Sequence, residues 1–158
     1  MSPEDVLAVL ELLRDAGADV WISGGWGIDA LAGRQTREHR DLDLGFRAEQ
    51  ESLILAALAA AAYVETLDWR PVRFAVTDPD GREIDLHPLV FQADGSALQA
   101  SFDPDAPFVY PAACFVIGTV DGVVAPCLSA EQQILFHQGY EPADQARHDQ
   151  DVAVLRSL

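Results

Sequence analysis

Two stretches decide how this chain is read: Val20-Trp21-Ile22-Ser23-Gly24-Gly25, and further on Arg40-Asp41-Leu42-Asp43-Leu44-Gly45-Phe46. The first reads as a short buried strand stopped by a glycine pair. A helix is predicted from about Trp26 to Leu31, closed by Gly33. In the second stretch the alternation is strict. Leu42, Leu44 and Phe46 fall on one face of a strand, and Asp41 and Asp43 on the other. Between the two lies a polar connection, Arg34 to Arg40, rich in Arg and His.

Working outward, Ser2-Pro3-Glu4-Asp5 reads as a helix start, with a cap residue, an early Pro and acids at the positive end of the dipole. Val6, Leu10 and Leu13 repeat at helical spacing, and Gly17 stops the run. Downstream, Glu49 to Ala62 is rich in Ala and Leu and predicts a helix. Val72 to Thr77 and Glu83 to Leu89 predict two strands joined at Asp78-Pro79-Asp80-Gly81. Gln92 to Pro107 is polar, lacks periodicity, and reads as a long functional loop. Asp121-Gly122 predicts a second hairpin between Cys114–Val120 and Val123–Cys127. Ser129 with Gln132 forms a capping box for a helix to about Gln138, and Asp144 to about Leu155 closes the chain as another helix. The sum is α+β, a mixed or antiparallel sheet with helices packed on it, in one domain over residues 1–158.

The chain carries 26 acids against 10 bases, a formal charge of −16, and every base is Arg. Such a surface repels phosphate backbones and offers no basic stripe, so nucleic acid is excluded as the expected partner. It attracts a cationic small molecule, though acidity also serves solubility alone. No apolar run reaches the ~20 residues that span a bilayer, and the N-terminus lacks a basic-then-apolar leader. Cys114 and Cys127 form neither a disulfide framework nor a metal-ligand set. A cytoplasmic protein without membrane association is expected.

Chemistry concentrates on three acids. Asp41 and Asp43 share a strand face, and Asp85 projects opposite Ile84 and Leu86 from its own strand. Should the two strands be neighbours, three carboxylates converge. Like charges ~4 Å apart repel by about 4 kcal/mol at an effective dielectric near 20, so a shared cation or proton is needed. Oxygen ligands suit Mg²⁺, and two such ions can clamp both oxygens of an in-line displacement. Solvated Asp residues on an exposed strand are the plain alternative for an isolated D-x-D. The upstream segment favours the cation. Ser23, Gly24 and Gly25 lie between strand and helix, where backbone N–H groups can approach a triphosphate. Arg37, His39 and Arg40 can neutralise phosphate charge in an otherwise acidic chain.

With these residues in hand a resemblance is plain. Ser23-Gly24-Gly25-Trp26-Gly27-Ile28-Asp29-Ala30-Leu31, followed by Thr36-Arg37-Glu38-His39-Arg40-Asp41-Leu42-Asp43-Leu44, resembles the signature of the polymerase-β-like nucleotidyltransferases. Asp85-Leu86-His87-Pro88, and the tail from Pro126-Cys127-Leu128-Ser129 through Leu135-Phe136-His137-Gln138-Gly139-Tyr140, are similar to the small lincosamide nucleotidyltransferases. The related aminoglycoside 2''-nucleotidyltransferases tend to carry a second acid where His87 stands. Position 25 is Gly where many relatives have Ser.

The resemblance implies Mg²⁺, with two ions expected, and an NTP, ATP being favoured, as co-substrate. Asp41 and Asp43 would bind metal. Asp85 would complete the metal site or act as the base for the acceptor hydroxyl. Ser23, Gly24, Gly25, Arg37 and Arg40 would hold the nucleotide. A catalytic core over about 19–90 would be followed by acceptor-pocket and C-terminal helical segments over about 91–158. The acceptor would be a small, hydroxylated, cationic antibiotic of the lincosamide or aminoglycoside kind. Adenylylation of a protein partner and a non-catalytic NTP-binding module are the alternatives. Because little chain is left to wall a pocket, a homodimer is expected.

Other side chains carry two readings each. His87 shares the face of Asp85 and either positions the acceptor or base, or is a hydrogen-bonded structural residue. Trp69, Arg70 and Arg73 precede or enter the hairpin beside Asp85, where they could stack on a base or sugar or simply pack. His137 reads as packing. Trp26 reads as a wedge under the glycine turn. The charged run Arg147-His148-Asp149-Gln150-Asp151 is either a brace for the site, as the resemblance implies, or a solvated face.

Overall fold

The computed structural model describes residues 1–138 and 144–158. Gly139 and Tyr140, part of the tail that carries the resemblance, lie outside the described residues. In chain order the elements are α1 (Pro3–Asp15), β1 (Val20–Ser23), α2 (Gly24–Ala32), β2 (Asp41–Arg47), α3 (Glu51–Ala60), β3 (Val64–Trp69), β4 (Arg73–Thr77), β5 (Glu83–Phe91), β6 (Ala97–Gln99), β7 (Phe108–Tyr110), β8 (Phe115–Val120), β9 (Val123–Leu128), α4 (Ala130–Phe136) and α5 (Gln145–Leu155).

One mixed sheet runs in the order β3-β4-β5-β2-β1-β9-β8, and β6 and β7 extend from the far end of β5. β2 lies antiparallel to β1 and parallel to β5. β9 joins parallel to β1, so the C-terminal hairpin closes the same sheet that the N-terminal half begins. The fold class is therefore the α+β arrangement expected, with the sheet mixed rather than wholly antiparallel.

The sheet has two differently covered faces. On one, Leu42, Leu44, Phe46, Ile84, Leu86 and Phe74 are fully buried with Val6 and Leu13 of α1 and Ile54 and Leu58 of α3. Alternation then forces Asp41, Asp43, Gly45, Asp85 and His87 to the opposite face. A smaller apolar cluster covers the far end of that face, formed by Leu89, Ala97, Tyr110, Cys114 and Leu128 with Trp21, Phe91, Phe115 and Phe136 against them. The acids are left at the open end.

Local signals explain most boundaries. Ser2 caps α1 in a full capping box with Asp5. Asp78 accepts from the backbone N–H groups of Asp80 and Arg82, and Gly81 takes φ +81°, closing the β4–β5 hairpin. Asp121 and Gly122 both have positive φ, the turn that matches strand twist.

Three strands depart from the sequence expectation. β3 is almost wholly exposed on both faces, so the hydrophobic alternation that betrays a strand is missing; it is an edge strand held by β4. β6 and β7 have 3 residues each, and lie in or beside the stretch read as one long loop. That length is too short to show a period, and only pairing, of β6 with β5 and of β7 with β6, makes them strands.

Candidate active site

In the parallel β2–β5 pair the register sets Asp43 opposite Asp85, and Gly45 opposite His87. One ligand atom from each of Asp43, Asp85 and His87 lies within 4.8 Å of the other two. Asp41 sits one strand step away on the same face, outside that tight group but close enough to feel the Asp43 charge. Of the three acids expected to converge, Asp43 and Asp85 are brought together with an imidazole beside them, and Asp41 is left outside the group.

Asp85 is nearly buried, at 8% exposure. Its Oδ2 accepts from Arg73 Nη1, while Oδ1 is buried without a hydrogen-bond partner among the described residues. An orphaned buried carboxylate oxygen is costly unless a cation or proton meets it. Burial, with Asp43 adding to it, pushes the Asp85 carboxyl above the ordinary carboxylate range; His87 and Arg73 oppose the shift. Asp41 keeps an exposed edge, yet crowding by protein atoms and the Asp43 carboxylate raise it as well. The donor set fits a hard divalent cation, which Asp43 and Asp85 would hold with Asp41 alongside.

The glycine turn stands against these acids. Ser23 pairs with Asp43 across β1–β2, and its hydroxyl makes no capping bond to α2. Gly24 has φ +58°, and a Cβ there would overlap the Asp43 carboxylate. A Cβ on Gly25 would overlap the His39 ring. The backbone at Gly24 therefore lies directly against the Asp43 carboxylate, with no side chain between them.

Arg37 reaches Asp151 of α5 through Nε–Oδ1 (2.9 Å) and Nη2–Oδ2 (2.8 Å), and its Nη1 donates to the Glu38 carbonyl. It lines the acid-bearing cavity, but with its guanidinium engaged by protein partners. His39 is a correction to the phosphate-neutralising expectation. It is buried, bonded through Nε2 to Asp29 at 2.5 Å and packed on Trp26, so it supports the turn from beneath. Arg40 is exposed just ahead of β2 and lines neither cavity described below. Arg70 is likewise not brought to the site. It pairs with Glu51, Glu65 and Asp68 and covers the Phe74 ring, on the sheet face opposite the acids. Arg73, three residues on, is the cation that reaches Asp85. Trp69 is 46% exposed and sits one layer out, with the Arg73 guanidinium 4.5 Å from its ring centroid and Phe102 edge-on to it.

Two cavities open from the acids. One, of about 390 Å³, is lined by Ser23, Gly24, Asp43, Val72, Gln99 and a wall of four aromatic rings, Phe102, Phe108, Tyr110 and Phe136. The other, of about 940 Å³, is polar and lined by Arg37, Asp41, Asp85, Asp144, Arg147, His148 and Asp151. Arg73, His87 and His137 line both. His137, read from sequence as packing, instead stands between the cavities, with its Nδ1 3.2 Å from His148 Nδ1. Gln99, Phe108 and Tyr110 were invisible in the sequence, because β6 and β7 carry no periodic signal, while Phe102 comes from the loop between them and Phe136 from the end of α4.

A strand, a glycine turn into a helix, and paired acids on the next strand across from a third define a nucleotidyltransferase, and comparison with known proteins agrees. A family model described as aminoglycoside-2''-adenylyltransferase matches residues 5–152, and the chain belongs to that family. The lincosamide resistance protein of Staphylococcus haemolyticus is 31% identical over 141 residues, covering 89% of this chain and 87% of that protein. A crystal structure of the lincosamide antibiotic adenylyltransferase LnuA with lincomycin bound aligns at TM-score 0.85 and 31% identity, covering 98% of this chain and 96% of that one. The crystal structure of ANT(2'')-Ia with adenylyl-2''-tobramycin aligns at TM-score 0.76 over 98% of this chain and 87% of that one; at 21% identity it shows the shared fold. The protein is an enzyme, a nucleotidyltransferase of the antibiotic-modifying kind. No helix among the described residues is long and apolar enough to cross a membrane.

Proposed function

We propose that the protein transfers a nucleoside monophosphate from ATP or another NTP, with Mg²⁺, to a hydroxyl of a lincosamide-like antibiotic, releasing pyrophosphate. The observation that carries this reading is the meeting of two unlike cavities over Asp43 and Asp85. The polar cavity, with Arg37, Arg73, Arg147 and three histidines, suits a triphosphate. The aromatic one suits an acceptor with a large apolar face, and its single carboxylate, Asp43, is a poor match for a polycationic aminoglycoside. That contrast favours a lincosamide-like acceptor over an aminoglycoside-like one.

In this mechanism Asp43, with Asp41 and Asp85 beside it, would hold the cation, which would neutralise charge on the triphosphate when bound. Ser23, Gly24 and Gly25 cradle phosphate oxygens with backbone N–H groups. The acceptor hydroxyl gives its proton to Asp85 as its oxygen attacks the α-phosphorus. The bond from the α-phosphorus to the bridging oxygen breaks in line, and pyrophosphate leaves toward the cationic wall. Arg73 holds Asp85 in place through Oδ2, leaving Oδ1 for the reaction. Catalysis is mainly positioning and charge neutralisation.

The aromatic cavity has walls from one chain, and a homodimer that completes the pocket stays part of the proposal. A monomer by light scattering at assay concentration, with full activity, would remove the dimer. Incubation with ATP, Mg²⁺ and either lincomycin or tobramycin, followed by mass spectrometry of both small molecules and protein, tests the whole reading. A gain of one adenylyl group on lincomycin supports it. Labelling of a protein instead, or of tobramycin alone, replaces the acceptor assignment, and hydrolysis-free binding of ATP with no transfer removes the activity.

A further inference from the structure

His87 stands among potential metal ligands, and geometry alone would count it as one. Its hydrogen bonds argue otherwise. Gln99 is 5% exposed, and its Nε2 donates to the Val72 carbonyl at 2.9 Å, which fixes that end of the amide as the NH₂ group. Its Oε1 accepts from the hydroxyl of Tyr110, itself 4% exposed. The second amide hydrogen is directed at His87 Nδ1, 3.0 Å away. An amide nitrogen can only donate, so Nδ1 must accept, and the ring proton sits on Nε2. That nitrogen faces Asp43 Oδ1 at 3.5 Å and Asp85 Oδ1 at 3.9 Å.

We infer that Tyr110 and Gln99 are positioning residues that lock His87 as an Nε2–H donor between the two carboxylates and thereby keep its nitrogen from binding metal. The cation site is then built from oxygen alone. Oxygen ligands favour Mg²⁺, whereas an available imidazole nitrogen would favour Zn²⁺ and other borderline ions. The lock is delivered by β6 and β7, the strands added beyond the main sheet, so an element outside the core sets the metal preference of the acids. This rests on the reading of Asp43 and Asp85 as the cation site.

The test begins with the metal-free full chain labelled with ¹⁵N. Long-range proton–nitrogen correlation of the imidazoles distinguishes the tautomers, and His87 is assigned by the signals lost in His87→Gln. A protonated Nε2 and bare Nδ1 are expected, and a protonated Nδ1 overturns the proposal without recourse to any variant of Gln99. In Gln99→Glu the carboxylate accepts from Nδ1–H and bares Nε2. Calorimetry should then show the ratio of Zn²⁺ to Mg²⁺ affinity rising at least about tenfold over the unmodified chain. The added charge by itself would raise both affinities together, so an unchanged ratio also overturns the proposal. Failure of the unmodified chain to bind Mg²⁺ would instead remove the cation-site reading while leaving the tautomer result standing.

Discussion

Arg37 and Asp151 lie 114 residues apart in sequence and are joined by a two-point ion pair, Nε to Oδ1 and Nη2 to Oδ2. The pair ties α5 to the connection that leads from the glycine turn to β2. Its side chains are 20% and 7% exposed, so it is shielded from solvent on the Asp side.

Removing one member of such a pair leaves the other partly buried and unmatched, which is more damaging than replacing both. Asp151→Ala is expected to destabilise the fold by about 2 kcal/mol, a few degrees in Tm, and to raise KM for NTP more than KM for the acceptor. Thermal unfolding with steady-state kinetics checks this. An unchanged Tm would show the pair to be ornamental.

The crowded acids make the metal-free protein pH-sensitive. Asp41 and Asp85 are both raised from the ordinary value of 3.8, so the folded state holds their protons more tightly than the unfolded chain. Their stabilising contribution is complete below the unfolded value and is lost as pH climbs through the raised folded values. The Arg82-linked acids Asp5 and Asp78 are lowered and act in the opposite sense, losing their contribution as pH falls through their folded values. In the absence of divalent ions, Asp85→Asn should therefore gain stability relative to the unmodified chain as pH rises above about 4. Urea unfolding across pH measures it, and added Mg²⁺ should erase the gain.

The same acids are required for turnover. Asp41→Asn, Asp43→Asn and Asp85→Asn should each lower kcat by at least about 10³-fold while the circular dichroism stays native. Normal activity in Asp43→Asn would leave the mechanism without a centre.

Gly24 is constrained twice, by its φ of +58° and by the Asp43 carboxylate against its α-carbon. Gly24→Ala is expected to lose about 1–2 kcal/mol from the backbone alone and to displace Asp43, cutting activity at least about 100-fold. Gly25→Ser meets the His39 ring, which Asp29 and Trp26 hold in place, so it should destabilise this chain although many relatives carry Ser there. Melting curves of the two variants report both effects.

The aromatic wall should sort the substrates. Phe108→Ala removes one ring of the acceptor cavity without touching the acids, and should raise KM for lincomycin about tenfold while KM for NTP holds. Equal changes in both constants would move the acceptor elsewhere.

Which residue types could do the chemistry, and which way they point, is legible in the order of the amino acids. Alternation put Asp41 and Asp43 on the face opposite Leu42 and Leu44, and the same parity placed Asp85 and His87 opposite Ile84 and Leu86. These are local properties, set by a period of two and by glycines that only certain turns accept. Which strands are neighbours, and in what register, emerges from the folded chain alone. It set Asp43 against Asp85, sent Arg73 rather than Arg70 to the carboxylates, turned His39 into a support, and brought Asp151 to Arg37. It also formed β6 and β7, whose three-residue spans carry no pattern of their own and exist only because β5 offers an edge. The physical reason is that periodicity fixes a face, whereas pairing between distant segments depends on the whole buried surface they complete together.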